Sequence, residues 1–106
     1  MLRGEFWTVS AQGYAGKPRP VLIVQADDLT AQHSCIVCPV TSDPTDALFR
    51  PPVHPSAANG LRTSSRTMVD KVSTVPASRF GNRIGVLEAD LMAEVEGALL
   101  VVLGFR

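Results

Sequence analysis

Gly16-Lys17-Pro18-Arg19-Pro20-Val21-Leu22-Ile23-Val24-Gln25 is the stretch that decides the fold. Val21 to Gln25 is a continuous apolar run of strand length, with no polar alternation, so it reads as a central strand covered on both faces. The residues before it are conformationally fixed. Pro18 sets its own φ, and Pro20 denies the helical region to Arg19, which is therefore extended. Two cations, Lys17 and Arg19, thus sit on a proline-stiffened lead into the most buried strand.

Working outward, Glu5 to Val9 carries aromatic and β-branched residues and predicts a first strand. Ser10 to Pro20 is a loop, and Asp27 to Thr30 a turn or a short helical start. Cys35 to Val40 predicts another strand, followed by a loop from Thr41 to Asp46. Pro51 to Pro55 predicts an edge strand, because proline cannot donate to a ladder. Asn59-Gly60 marks a turn within Ser56 to Arg62. Ser65 to Thr74 alternates polar and apolar residues, as one or two half-buried strands do, and Val75 to Arg79 suits a short helical turn. Gly85 is expected to break the chain. Leu91, Met92, Val95, Leu99, Val102 and Leu103 form a stripe at helical spacing, which predicts a helix from Glu88 to Leu103 with Gly104 as its C′ residue. Gly97 inside that helix is expected to mark close packing. The sum is a mainly β protein with a C-terminal helix (α+β): five to seven short strands in a twisted sheet or partly closed barrel.

The 106 residues suit one domain spanning 1–106. Hydrophobic residues at 45% and charged residues at 19% argue against a disordered chain or a coiled coil. The zero net charge excludes a grossly basic coat but hides an asymmetry. Residues 1–86 carry nine of the ten basic side chains against six acids, and residues 87–106 carry four acids against Arg106 alone. An anionic ligand is therefore drawn to the body of the chain, not to its C-terminal segment. No N-terminal signal is read at Met1 to Glu5, and the apolar run from Ala98 to Leu103 is too short to span a bilayer. A cytosolic, cytoplasmic protein with no membrane attachment is expected.

Most catalytic and metal-binding constellations find no support. Cys35-Ile36-Val37-Cys38 is a C-x2-C without a second pair, and residues three apart on a strand face opposite ways, so two buried cysteines are the plain reading. His33 and His54 have no recognisable partner, and no Gly-x-Ser-x-Gly elbow or phosphate loop is present. What remains is an anion-handling pair. If the Val21 and Cys35 strands are neighbours, Arg19 and Thr41 converge at one end. A pre-organised arginine grips phosphate at low entropic cost. Spacing alone favours plainer readings: a surface arginine paired with an acid, and a turn or cap threonine.

The chain resembles the MazF/PemK/Kid-type toxins of bacterial toxin–antitoxin pairs over nearly its whole length. Arg3 to Trp7 is similar to their opening strand, Gly16 to Gln25 to their Arg-Pro strand, and Cys38-Pro39-Val40-Thr41-Ser42 to their third strand and its terminal hydroxyls. Val69 to Val75, then Arg79-Phe80 and Ile84 to Leu87, is similar to their run into the last helix. The resemblance implies a small SH3-like barrel, a homodimer, and a metal-independent, sequence-specific endoribonuclease that acts on single-stranded RNA without a cofactor. In that chemistry the 2′-OH attacks the adjacent phosphate, leaving a 2′,3′-cyclic phosphate and a 5′-OH. It also implies a cognate MazE-like antitoxin, acidic and partly disordered, over the same groove.

By the same resemblance Arg19 matches the catalytic arginine, where electrostatic stabilisation is its safest role. Thr41 would donate to a non-bridging phosphate oxygen, with Ser42 assisting. Asp70 stands where some members carry an acid proposed as general base, and a strand acid facing water is its plain reading. Met68 stands where Kid-type members have an arginine, so their catalytic trio does not carry over intact. The loop from Ala11 to Pro18 would line the RNA groove, with Lys17 on phosphate and Tyr14 or Phe49 stacking on bases. Ser64, Ser65 and Arg66 fall near the base-reading strand. Two other readings stay open. One is a CcdB-like gyrase poison acting through Leu99 to Arg106, whose Leu103-Gly104-Phe105 is faintly similar to that toxin's apolar-Gly-apolar end. The other is a non-catalytic SH3-like interaction module.

Overall fold

In the computed structural model, residues 1–10, 17–29, 33–44 and 49–106 are described. Seven strands and one α-helix occur among them: β1 (Glu5–Val9), β2 (Arg19–Ile23), β3 (Ser34–Thr41), β4 (Pro52–Val53), β5 (Ser65–Thr67), β6 (Ser73–Pro76), β7 (Phe80–Val86) and α1 (Ala89–Val102). Single 3₁₀ turns occupy Asp27–Leu29, Val69–Lys71 and Ala77–Arg79. The strands form one sheet in the order β4-β5-β3-β2-β1-β7, all neighbours antiparallel, with β6 also on β3.

β3 is the pivot of the sheet. Along one edge its first half pairs with β6 (Ser34–Pro76 to Val37–Ser73), and its last two residues pair with β5 (Val40–Thr67, Thr41–Arg66). The 3₁₀ turn at Val69–Lys71 carries the chain from one partner to the other, which curls the sheet. At the opposite side β1 meets β7 through two register shifts, and such bulges add twist.

The pleat sorts the core into two. Leu22, Cys38, Val40 and Phe6 face one way and are covered by α1 through Val95, with Leu91, Met92, Leu99 and Val102 packed against them. Val21, Ile23, Cys35 and Val37 face the other way, under Trp7, Val9, Val75 and Phe80. The strand expected to be buried on both faces therefore is so at Val21, Leu22 and Ile23. Trp7 and Phe80 meet edge to face, centroids 6.3 Å apart at 77°.

Three expectations fail. Gly85 does not break the chain but lies buried inside β7. A β-carbon there would meet the Ala58 carbonyl oxygen at 2.4 Å, so its bare backbone is what admits the 56–60 loop. Gly97 marks no close packing, since a β-carbon there meets only the Arg106 guanidinium at 3.6 Å. Leu103 leaves the stripe and is half exposed, because the helix stops before it. Gly104 (φ +81°) ends α1 as expected, with Phe105 N–H donating to the Leu100 carbonyl and Gly104 N–H to that of Val101. Among the described residues no helix is long and apolar enough to cross a membrane.

Candidate active site

Register brings the anion-handling pair together. Val21 pairs with Pro39, Leu22 with Cys38 and Ile23 with Val37. Carried two residues further, the same register sets Arg19 opposite Thr41. Arg19 alternates with Val21 and Ile23, and Thr41 with Pro39 and Val37, so all lie on the face away from α1. A cavity of about 410 Å³ opens there, lined by Arg19, Val21, Val37, Pro39, Thr41 and Met68. Most of its lining is apolar, with Arg19 and Thr41 among its few polar groups.

Arg19 is exposed and has no carboxylate partner among the described residues, so its guanidinium is available to a ligand. Thr41 is half-buried, and its Oγ1 accepts a hydrogen bond from the Asp43 N–H at 3.1 Å. That bond fixes the side chain and occupies a lone pair, leaving the hydroxyl proton free to donate. The hydroxyl is thus a positioned donor on the face that carries the Arg19 cation.

The other expected site residues divide. Ser42, Ser65 and Arg66 line a second cavity of about 230 Å³ together with His54. Ser65 is buried there, its hydroxyl donating to the Thr63 carbonyl. Asp70 lines neither cavity. It sits on the 3₁₀ turn after β5, where Arg50 holds it by Nε–Oδ1 and Nη2–Oδ2 bonds of 3.0 Å. That hydrogen-bonded guanidinium lowers its pKa and makes it a weaker base. Lys17 is exposed just before β2. Tyr14 and most of the Ala11–Pro18 loop lie outside the described residues. A third cavity, about 420 Å³, adds Arg62 and shares Pro20 with the first and Ser65 with the second.

The two cysteines face opposite sides of β3, as expected of a strand, and are free. Burial pushes the Cys38 thiol up to about 12 and raises that of Cys35, which suppresses the nucleophilic thiolate. His54 is a polar residue whose partner went unseen in the sequence: its Nδ1 lies 3.2 Å from Ser64 Oγ. The pairing of Pro52 with Arg66 and Val53 with Ser65 places the two across from each other, so the signal lies in the β4–β5 register and not in local spacing.

The family described as PemK-like, MazF-like toxin of type II toxin–antitoxin system matches residues 2–103. A Mycolicibacterium smegmatis protein named probable endoribonuclease MazF is 48% identical over 106 residues, covering 98% of this chain and 97% of its own. The solved Mycobacterium tuberculosis toxin MazF-mt6 is 25% identical with a TM-score of 0.81, over 94% of this chain and 96% of that one. A mycobacterial endoribonuclease solved in complex with its cognate antitoxin is 19% identical and shares the fold, with a TM-score of 0.84 over 100% and 97% of the two chains.

Proposed function

This chain belongs to the PemK-like, MazF-like toxins of type II toxin–antitoxin systems and is a MazF endoribonuclease toxin, and we propose that it cuts single-stranded RNA at the cavity between Arg19 and Thr41. The observation that carries the reading is a guanidinium with no carboxylate partner among the described residues and a fixed hydroxyl donor, both on one face and lining one cavity.

Chemistry that uses the substrate's own nucleophile suits this arrangement. The ribose 2′-OH loses its proton and bonds to phosphorus, the P–O5′ bond breaks, and the 5′-oxygen takes up a proton. The products are a 2′,3′-cyclic phosphate and a 5′-OH. Negative charge grows on the non-bridging oxygens as phosphorus becomes pentacoordinate. Arg19 neutralises that charge and Thr41 donates a hydrogen bond to one of the oxygens, both being groups that bind the transition state more tightly than the substrate. Ser42, next to Thr41, assists it on the phosphate, and Lys17 attracts the phosphate chain. No metal or cofactor is assigned a role in these steps.

The partner in this reading is a cognate antitoxin of acidic, partly disordered character, drawn to the same cations, Lys17, Arg19, Arg62 and Arg66, that draw RNA. In this reading the working form is a homodimer, which sedimentation of the purified protein would test. The experiment for the whole reading maps cleavage ends on a mixed RNA pool, with and without EDTA, for the natural protein and Arg19→Ala. Cyclic-phosphate ends that persist in EDTA and vanish in the variant bear it out. Full cleavage by Arg19→Ala refutes it.

A further inference from the structure

Asn59-Gly60 is a turn whose own chemistry the fold has to restrain. In a mobile chain an asparagine followed by glycine cyclises readily, because glycine has no side chain to shield its backbone nitrogen from the neighbouring amide. The Gly60 nitrogen loses its proton and bonds to Asn59 Cγ, the Cγ–Nδ2 bond breaks, and the amide nitrogen takes up a proton and leaves as ammonia. Water then opens the cyclic imide at either carbonyl and leaves aspartate or isoaspartate. The chain's other asparagine, Asn82, is followed by the bulkier Arg83.

The folded chain ties down both reacting groups. Asn59 is fully buried. Its Oδ1 accepts from the Ser56 and Leu61 N–H groups, each at 3.0 Å, and its Nδ2 donates to the His54 carbonyl at 2.8 Å and to Glu88 Oε1 at 3.4 Å. The Gly60 N–H, which must be surrendered for attack, donates to the Ser56 carbonyl at 3.1 Å. The turn is also wedged against β7. Val86 N–H donates to the Ala58 carbonyl at 2.9 Å, and a β-carbon on Gly60 (φ +68°) would meet the Ile84 carbonyl oxygen at 2.4 Å. Cyclisation therefore waits until the 56–61 segment lifts off β7 and frees the amide and the nitrogen together.

The product does not fit the place that the amide leaves. It carries an oxygen where Nδ2 stood, so two donated bonds become contacts with the His54 carbonyl and the Glu88 carboxylate, both acceptors. The Ser56 hydroxyl, the largest influence, helps to hold the Glu88 carboxyl below its ordinary range, so the group facing the new oxygen is an anion. A buried carboxylate oxygen that faces only acceptors is costly. Isoaspartate also lengthens the backbone, in a turn packed closely on Ile84 and Gly85. We propose that Asn59 is a latent deamidation site gated by the 56–61 turn: each opening exposes it to cyclisation, and a chain that has reacted no longer closes the turn. The lifetime of the folded toxin is then set by how often this turn opens, independently of its RNA chemistry.

The test incubates the full chain at neutral pH, folded in buffer and unfolded in guanidinium chloride, and follows ammonia loss at Asn59 and Asn82 by peptide mass mapping. In the unfolded chain Asn59 reacts faster than Asn82. Folding slows Asn59 by about a hundredfold or more, the factor by which closed turns outnumber open ones. Ser56→Ala removes the hydroxyl that accepts from the Asn59 N–H at 3.1 Å and speeds the folded-state reaction by about fivefold, with Asn82 unchanged. Chains that have reacted at Asn59, isolated from the mixture, unfold at lower denaturant than unreacted ones or fail to refold, and Asn59→Asp behaves as they do. An equal Asn59 rate in folded and unfolded chain, or an unchanged rate in Ser56→Ala, overturns the gate. Reacted chains that refold with unaltered stability overturn the irreversible step. None of these readouts depends on RNA cleavage, so they stand or fall apart from the endoribonuclease mechanism.

Discussion

Arg50 holds both carboxylate oxygens of Asp70, each at 3.0 Å, in a two-pronged ion pair that also steadies the backbone carbonyl to which Arg66 donates. A carboxylate clamped in this way is a poor proton acceptor. Asp70 therefore acts as a strut. Loss of a general base costs roughly 10²–10⁴-fold in rate. Loss of a solvent-screened ion pair is mild by comparison. Asp70→Asn is accordingly expected to keep turnover within about tenfold of the natural protein. Single-turnover cleavage of a short RNA decides, and a hundredfold fall would return Asp70 to the chemistry.

The facing pair of Arg19 and Thr41 predicts a graded series. Removing one transition-state donor costs on the order of 10²–10³ in kcat. Arg19→Ala is expected to lose at least that, while Arg19→Lys recovers part, since a point charge replaces a planar fork. Thr41→Ser keeps the hydroxyl and most of the rate, whereas Thr41→Val loses it. Rate constants at saturating RNA separate these outcomes, because KM alone would move if the two side chains only held substrate.

How much of this was legible in the sequence follows from how local each signal is. The apolar run Val21–Ile23 and the prolines around Arg19 act within their own segment, so strand, burial and extension were all readable. Thr41 was reachable because a neighbouring-strand assumption fixes one register. His54 was not: its partner Ser64 is ten residues away, across a loop whose shape depends on buried Asn59 bonding to Ser56, Leu61 and Glu88. Gly85 was misread for the same reason. A glycine that breaks a strand and one that admits a distant loop are identical in sequence, and only the Ala58 carbonyl distinguishes them.

That loop contact makes Gly85→Ala a severe substitution. Its β-carbon would lie 2.4–2.5 Å from the Ala58 and Asn59 backbone, which has little room to give. Overpacking of rigid atoms costs on the order of 3 kcal/mol. Denaturant melts are expected to show that loss. A variant as stable as the natural chain would show that the loop can shift freely.

Thr67 offers the opposite case. Its side chain is fully buried and its Oγ1 has no hydrogen-bond partner among the described residues. A buried hydroxyl without a partner costs about 1 kcal/mol or more, and valine has nearly the same shape. Thr67→Val is therefore expected to raise stability by about 1 kcal/mol, or the melting temperature by about 4 °C. Differential scanning calorimetry reads the shift directly, and a lower melting temperature would mean that the hydroxyl has a partner in solution.

Glu5 is expected to contribute to the acid limit of stability. Burial alone pushes its carboxyl up, but hydrogen bonds from the Leu2 N–H (2.7 Å), Trp7 Nε1 (3.0 Å) and Arg83 Nε (2.6 Å) outweigh that and bring it down to about 2, from an ordinary 4.5. The folded pKa lies below the unfolded one, so the unfolded chain binds this proton first as pH falls. The stabilisation is complete above about pH 4.5 and is lost progressively as pH falls towards 2. Arg83 is half exposed, so solvent screening trims the contribution to about 2 kcal/mol. Urea melts of the natural protein should therefore weaken across that acid window. Glu5→Gln should start less stable at pH 7 and lose less on acidification, since amide replaces the titrating group while Trp7 and Leu2 keep an acceptor. Parallel stability–pH curves for the two proteins between pH 4.5 and 2 would mean that another carboxylate sets the limit.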